Sequence, residues 1–115
     1  MTGRSEGGIS ALEYHVLLAL AGEALYGYAI TTAVEAESRG TLTPRAGTLY
    51  RVLARLMSCG LVSEEASPED AESHPGRARR WYRLTALGKQ RLADESRRLV
   101  AVAGLAQRRL RPGRS

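Results

Sequence analysis

"TPRAGTLYRVLARLMSCGLV", residues 43–62, is the stretch whose reading decides the fold. Thr43 can cap a helix, and Pro44 suits its first position because proline lacks the N–H that goes unpaired there. Gly60 stands where a helix needs a left-handed stop. Between these marks Leu49, Val52, Leu53 and Leu56 fall on one face at helical spacing, which is the core side. The far face holds Gly47, Thr48, Arg51, Ala54, Arg55 and Ser58, with Tyr50 on a flank. It is small near its start, then hydroxylated and basic. Neither a solvated face of acids and lysines nor a second apolar seam looks like this.

Working outward toward the N-terminus, "SALE" offers Ser10 as N-cap and Glu13 three residues on, a capping box that opens a helix over Ala11–Ala21. Leu12, Val16, Leu17, Leu18, Ala19 and Leu20 leave it no wide polar face, so it needs cover on two sides. In so small a chain the second cover is expected from another subunit. Gly22 and Glu23 break it. A second helix is expected from Tyr26 to Ser38, with Tyr26, Ile30, Ala33 and Val34 inward and a stop at Gly40.

Toward the C-terminus, "LVSEEA" and "RRWYRL" are short strand-like runs rich in branched and aromatic residues. SPEDAESHPGRA between them, with two prolines and a glycine, is a hairpin tip. Thr85 then caps a last helix from Ala86 to Leu110. Its Leu92, Leu99 and Ala106 recur every seven residues, with Ala103 and Leu110 alongside, and a partner helix is the expected cover. The fold class is therefore mainly α with a small β-hairpin: a winged helix-turn-helix plus a long C-terminal dimerisation helix. Boundaries follow as a disordered tail 1–8, a winged helix-turn-helix DNA-binding domain 9–84, a dimerisation helix 85–111 and a disordered tail 112–115.

Charge narrows the partner. The 115 residues carry a formal net charge of +5, which favours something anionic. Hydrophobic residues make up 43% of the chain, enough for one ordinary soluble core. Glu64 to Glu72 is acidic only, whereas Arg77 to Arg91 and Arg97 to Arg114 are basic only. The one cysteine, Cys59, excludes a disulfide framework and a cysteine-rich metal site, and reads as a buried or half-buried residue at a helix end. MTGRSEGG lacks the apolar stretch of a secretory signal, and LVAVAGLA at 99–106 is too short to span a bilayer, so no membrane association and a cytoplasmic location are expected.

A helix-turn-helix followed by a wing reads double-stranded DNA, its second helix lying in the major groove with its exposed N-terminal residues at base edges. Gly47 lets that helix approach closely, and Thr48 can donate and accept at base edges. Arg51 is a fork suited to guanine or phosphate, while Tyr50 and Arg55 can hold the flanking backbone. Arg45 at the head of the helix belongs with them. In the wing, Arg77, Arg79 and Arg80 suit phosphates, Tyr82 and Leu84 alternate toward the core, and Trp81 packs across strands on the other face. The dimer seam is assigned to Leu12, Val16, Leu92, Leu99, Ala103, Ala106 and Leu110.

"LEYHVLLALAGEALYGYAI", "GTLYRVLARLMSCGLV" and "RRWYRLTALGKQRL", in that order, resemble the PadR family of bacterial transcriptional regulators over about residues 10–100. The resemblance implies a homodimer that represses transcription from a palindromic operator. It matches Gly47, Thr48, Leu49 and Tyr50 to the family's recognition helix, and Tyr82, Leu84 and Thr85 to its wing-to-helix junction. Tyr26 stands where many members have histidine, and one C-terminal helix places the chain with the short subgroup. Some relatives hold planar aromatic compounds between their C-terminal helices. Ala86–Leu110 has no Phe, Tyr or Trp, so a small-molecule effector, if one exists, is expected to be small and apolar.

Catalysis finds no support in these residues. His15 lies in an apolar helix and His74 before a proline, and neither has metal-ligand spacing with Cys59. Glu64 and Glu65, adjacent on a strand, point to opposite faces. No catalytic residue, metal or cofactor is assigned. The competing reading is a winged-helix module that binds another protein and no DNA, because fold alone does not fix function.

Overall fold

The computed structural model of the chain describes residues 8–66 and 80–113. Helix α1 (Ala11–Ala19) opens on a complete capping box: Glu13 N donates to Ser10 Oγ at 3.0 Å, and Ser10 N donates to Glu13 Oε1 at 2.9 Å. After it come β1 (Leu25–Tyr26), α2 (Gly27–Glu37), α3 (Ala46–Ser58), β2 (Val62–Ala66), β3 (Arg80–Leu84) and α4 (Ala86–Leu110). Helix α1 ends two residues earlier than its apolar run suggests, with Leu20 as C-cap.

The sheet differs from the expected hairpin. It has three antiparallel strands in the order β1-β3-β2. Strand β1 is two residues long and exists only through its partner, Leu25 opposite Tyr82 and Tyr26 opposite Trp81. So short a segment has no alternation for a sequence pattern to display. Tyr26 is therefore a strand residue and the N-cap of α2, not an inward helix position. Its ring meets Trp81 edge-on with centroids 5.2 Å apart, so the cross-strand packing of Trp81 is supplied by β1.

Helix α3 starts two residues later than Thr43 and Pro44 suggest. The chain is still extended at Arg45, which is the N-cap in place of Thr43. The Arg45 carbonyl accepts the first helical bond, from Leu49 N at 2.8 Å. At the other end Gly60 adopts φ +79°. Gly60 N donates to Met57 O at 3.0 Å and Leu61 N to Leu56 O at 2.9 Å, the paired bonds of a Schellman stop.

Val16 and Leu17 of α1, Ile30 and Val34 of α2, Leu49, Leu53 and Leu56 of α3, and Tyr82 and Leu84 of β3 form one buried cluster. Each such aliphatic side chain stabilises the fold by about 1.5–3 kcal/mol. Val16 is wholly enclosed by its own protomer, and Leu12 and Leu92 pack against the same cluster. Val16 therefore has no apolar surface left for a dimer seam, whereas Leu12 and Leu92 are only half-buried and keep part of theirs. The second cover of α1 comes largely from α4 of the same chain, to which Tyr14 Oη is hydrogen-bonded through Ser96 Oγ at 2.7 Å.

Thr85 ties α4 to the end of α3. Its Oγ1 accepts from Gly88 N at 3.0 Å and donates to Gly60 O at 2.6 Å, while its backbone N–H donates to Leu61 O at 3.1 Å. From Arg97 onward every residue of α4 except Gly104 is exposed. The helix of 25 residues, about 37 Å long at 1.5 Å per residue, thus projects beyond its own domain. Leu99, Val102, Leu105 and Leu110 are exposed along it.

Arg77, Arg79 and His74, with residues 1–7 of the first tail and 114–115 of the last, lie outside the described residues. Among the described residues no helix is long and apolar enough to cross a membrane, and no group of histidine, cysteine, aspartate or glutamate could hold a metal.

Candidate nucleic-acid interface

The first turn of α3 faces outward. Arg45, Ala46 and Gly47 are exposed and Thr48 is half-buried. A methyl group at Gly47 would have nothing within 4 Å, so no internal packing demands glycine there. Arg51 Nη2 reaches Thr48 Oγ1 at 3.4 Å, which places the fork and the hydroxyl side by side. Among the described residues neither Arg45 nor Arg51 forms an ion pair.

Backbone donors add to this face. No side chain caps α2 or α3, and neither has an acid in its first turn. Helices α1 and α4 are capped by Ser10 and Thr85. An uncapped helix start presents N–H groups and partial positive charge, which favour a phosphate oxygen. The starts of α2 and α3 flank one crevice of about 260 Å³, lined by Gly27, Tyr28, Thr31, Pro44, Ala46 and Tyr50 among others. Tyr28 is 76% exposed there. Sequence pattern does not single Tyr28 out; the available signal was an aromatic on the polar side of α2. Tyr50 lies over Gly27, where its ring occupies the space a Cβ would fill.

Arg55 is placed differently from Thr48 and Arg51. Its Nε donates to Glu13 Oε2 at 2.6 Å, on α1. That hydrogen bond, with the carboxylate charge behind it, holds the guanidinium pKa above its usual value. Arg55 is thus engaged inside the protomer through Nε, with its side chain 46% exposed.

In the wing, the Arg80 side chain is 62% exposed, with Nε 4.0 Å from Glu64 Oε2. Arg83 Nη2 donates to Glu65 Oε2 at 2.8 Å. Glu64 and Glu65 point to opposite faces, and each meets an arginine of β3. Burial pushes the Tyr82 phenol up to about 12, with Glu64 beside it adding to the shift.

Two further residues complete the account. Cys59, the C-cap of α3, is exposed and not half-buried. His15 Nδ1 lies 3.9 Å from Glu37 Oε1, across α1 and α2. Burial raises the Glu37 pKa, and the neighbouring histidine offsets part of that rise.

Residues 16–94 match the transcriptional regulator PadR-like family. The fold is similar to that of a PadR-like transcription factor from Bacteroides fragilis, at 29% identity and TM-score 0.72, covering 94% of this chain and 98% of that one. It is also similar to a PadR family transcription regulator from Clostridium difficile, at 24% identity and TM-score 0.74, covering 89% and 100%. Bacillus subtilis PadR in complex with operator DNA matches at 26% identity and TM-score 0.63, over 74% of this chain and 46% of that one. No curated protein sequence matches the chain significantly.

Proposed function

The chain belongs to the PadR-like family of transcriptional regulators, and from that premise we propose that it is a homodimeric repressor that reads a palindromic operator. The observation that carries the reading is the outward side of the first turns of α3. Gly47 is open there, Thr48 and Arg51 are paired, and neither arginine at the helix head has an internal counter-ion among the described residues. Bacillus subtilis PadR, a relative of similar fold, has been captured on operator DNA.

In this reading Thr48 and Arg51 meet base edges in the major groove, and Arg45, Tyr28 and Tyr50 hold the flanking phosphates. Arg77, Arg79 and Arg80 of the wing supply charge. The apolar stripe Leu99, Ala103, Ala106 and Leu110 of α4 pairs with its copy, since nothing in the described chain covers it. Repression follows from occupancy of a promoter in the cytoplasm.

Selection from a random duplex pool tests this reading. A two-fold symmetric site should be enriched, with half-site centres about 34 Å apart. Failure to retain any duplex near physiological salt would sink it and leave the protein-binding module standing.

A further inference from the structure

Thr48, Arg51 and Arg55 succeed one another at spacings of three and four along one side of α3. Helical geometry therefore puts them on one stripe. The stripe is nevertheless divided between two tasks. Arg55 Nε donates to Glu13 Oε2 at 2.6 Å, and the Glu13 side chain is 10% exposed against 46% for Arg55. The acid is the buried anchor and the arginine reaches in to it. The other oxygen, Glu13 Oε1, accepts the N–H of Ser10 at 2.9 Å. One carboxylate both closes the cap of α1 and holds the C-terminal half of α3.

Leu56, next to Arg55, is buried in the same core cluster as Val16 and Leu17 of α1, and the Glu13–Arg55 pair adds a polar link at its edge. The pair stands on the wall of a cavity of about 380 Å³ that opens between Ile9, the end of α3 and the start of α4 at Leu87 and Arg91. Beside that opening the charge-assisted hydrogen bond links the two helices directly, and a buried carboxylate deprived of its partner is strongly unfavourable. Arg55 is seven residues from Thr48, about 10 Å along the axis. A tilt of about 10° pivoting at Arg55 would move Thr48 by about 2 Å, enough to break a base-edge hydrogen bond.

We infer that Arg55 is a positioning residue for DNA recognition, acting through Glu13, and not a phosphate contact. The pair sets the pitch of α3 against the α1–α4 unit, which carries the exposed apolar stripe. It thereby sets how the recognition helices of two subunits are presented. This inference rests on the DNA-reading function proposed above.

The test uses the full chain, the duplex enriched by selection and a random duplex of equal length. Arg55→Gln and Glu13→Gln should each weaken binding to the selected duplex roughly tenfold. Random-duplex binding and the salt slope should stay as they are. The double variant should bind no more weakly than the weaker single variant. The charge swap Glu13→Arg with Arg55→Glu restores the pair but forfeits the acceptor of the Ser10 N–H, so it should bind the selected duplex more tightly than either single charge reversal, which a lost phosphate contact would not do. A fall in the Arg55→Gln salt slope of about 0.9 per phosphate contact would overturn the inference. So would tighter random-duplex binding by Glu13→Gln, since that variant frees a cation. Should the swap fail to fold, the Arg55→Gln slope decides alone. Thermal melting of the two single variants and the double reads the pair without DNA: non-additive losses in Tm support it, and additive losses overturn it. If the unmutated protein binds neither duplex, the DNA reading has failed, and the melting cycle still judges the Glu13–Arg55 link.

Discussion

Gly27 lies beneath the Tyr50 ring. A Cβ at position 27 would collide with the Tyr50 hydroxyl oxygen and stand 3.1 Å from Cζ. Glycine at the start of α2 thus makes room for an aromatic of α3, and the two helix starts approach closely because of it. Tyr50 is half-exposed and its ring can swing outward, so Gly27→Ala should cost little in stability, within about 1 kcal/mol. The displaced ring would crowd the crevice at the helix starts. Duplex binding should therefore fall more than stability does, as fluorescence anisotropy and urea unfolding of the same variant will report. Equal losses in both would show that Gly27 serves the core.

Gly47 and Gly88 are opposite cases of the same residue type. At Gly88 an added Cβ would meet the backbone carbonyl oxygen of Leu61, with the carbonyl carbon at 3.0 Å and no flexible group able to yield. Gly88→Ala should cost about 1–3 kcal/mol by overpacking and loosen the Thr85 junction. Gly47→Ala meets nothing, so on helix propensity it should stabilise by up to about 1 kcal/mol. Its penalty should appear only as weaker duplex binding. A Gly47→Ala protein that is stabilised and binds DNA unchanged would remove the close-approach role of this glycine.

Tyr82 contributes to the alkaline limb of stability. Its phenol is almost fully buried in β3, and its pKa rises from 10.0 to about 12 in the fold. The raised value means the fold favours the neutral phenol. Its contribution, about 2–3 kcal/mol at one pKa unit per 1.36 kcal/mol, is complete below pH 10. It is lost as pH climbs through 12. Tyr82→Phe should flatten that limb in pH-dependent denaturation. Glu95 acts oppositely: the Arg98 hydrogen bond holds its carboxyl below the usual range. Its share is present above that range and disappears as pH falls through the lowered value.

What could be read from the sequence was governed by rules of short range. Ser10 with Glu13, Thr85 with Gly88, and the Gly60 stop each involve residues within a turn or two, and all three are in place. The core stripe of α3 was readable because helical period alone sorts Leu49, Leu53 and Leu56 inward. Strand β1 was not, since two residues become a strand only beside a β3 that lies 55 residues on, as Tyr26 and Trp81 are paired. The Glu13 partner of Arg55 was hidden for the same reason. On composition Arg55 belongs with Arg51, and only a glutamate 42 residues earlier tells the two apart. Val16 likewise matches a dimer stripe by spacing, but the protomer's own core encloses it.

Self-association should depend on the part of α4 that leaves the domain. Leu99 is 37% exposed and follows Leu92 by one heptad on the same side of the helix. Leu99→Asp would place a carboxylate in a seam between two copies without touching the protomer core. Analytical ultracentrifugation at micromolar concentration should find a dimer for the unmutated protein and monomer for the variant. A monomeric unmutated protein would refute the α4 pairing.

Base reading and anchoring should separate between Arg51 and Arg80. Arg51 projects from the exposed early part of α3 beside Thr48, so its loss should fall on sequence discrimination. Arg51→Ala should cost roughly 1–3 kcal/mol per half-site on the selected duplex if the contact is bidentate, and much less on random duplex. Arg80 projects from β3 and already faces Glu64 at 4.0 Å, with most of its side chain in solvent. Arg80→Ala should weaken both duplexes about equally and flatten the salt slope, by less than one full phosphate contact because Glu64 shares the charge. Glu64→Gln should then steepen the slope and strengthen binding to both. Titrations of the three variants across a series of salt concentrations check all of this together. If Arg51→Ala weakens the selected and random duplexes by the same factor, Arg51 belongs with the phosphate anchors, and discrimination must come from Thr48 and the shape of the DNA.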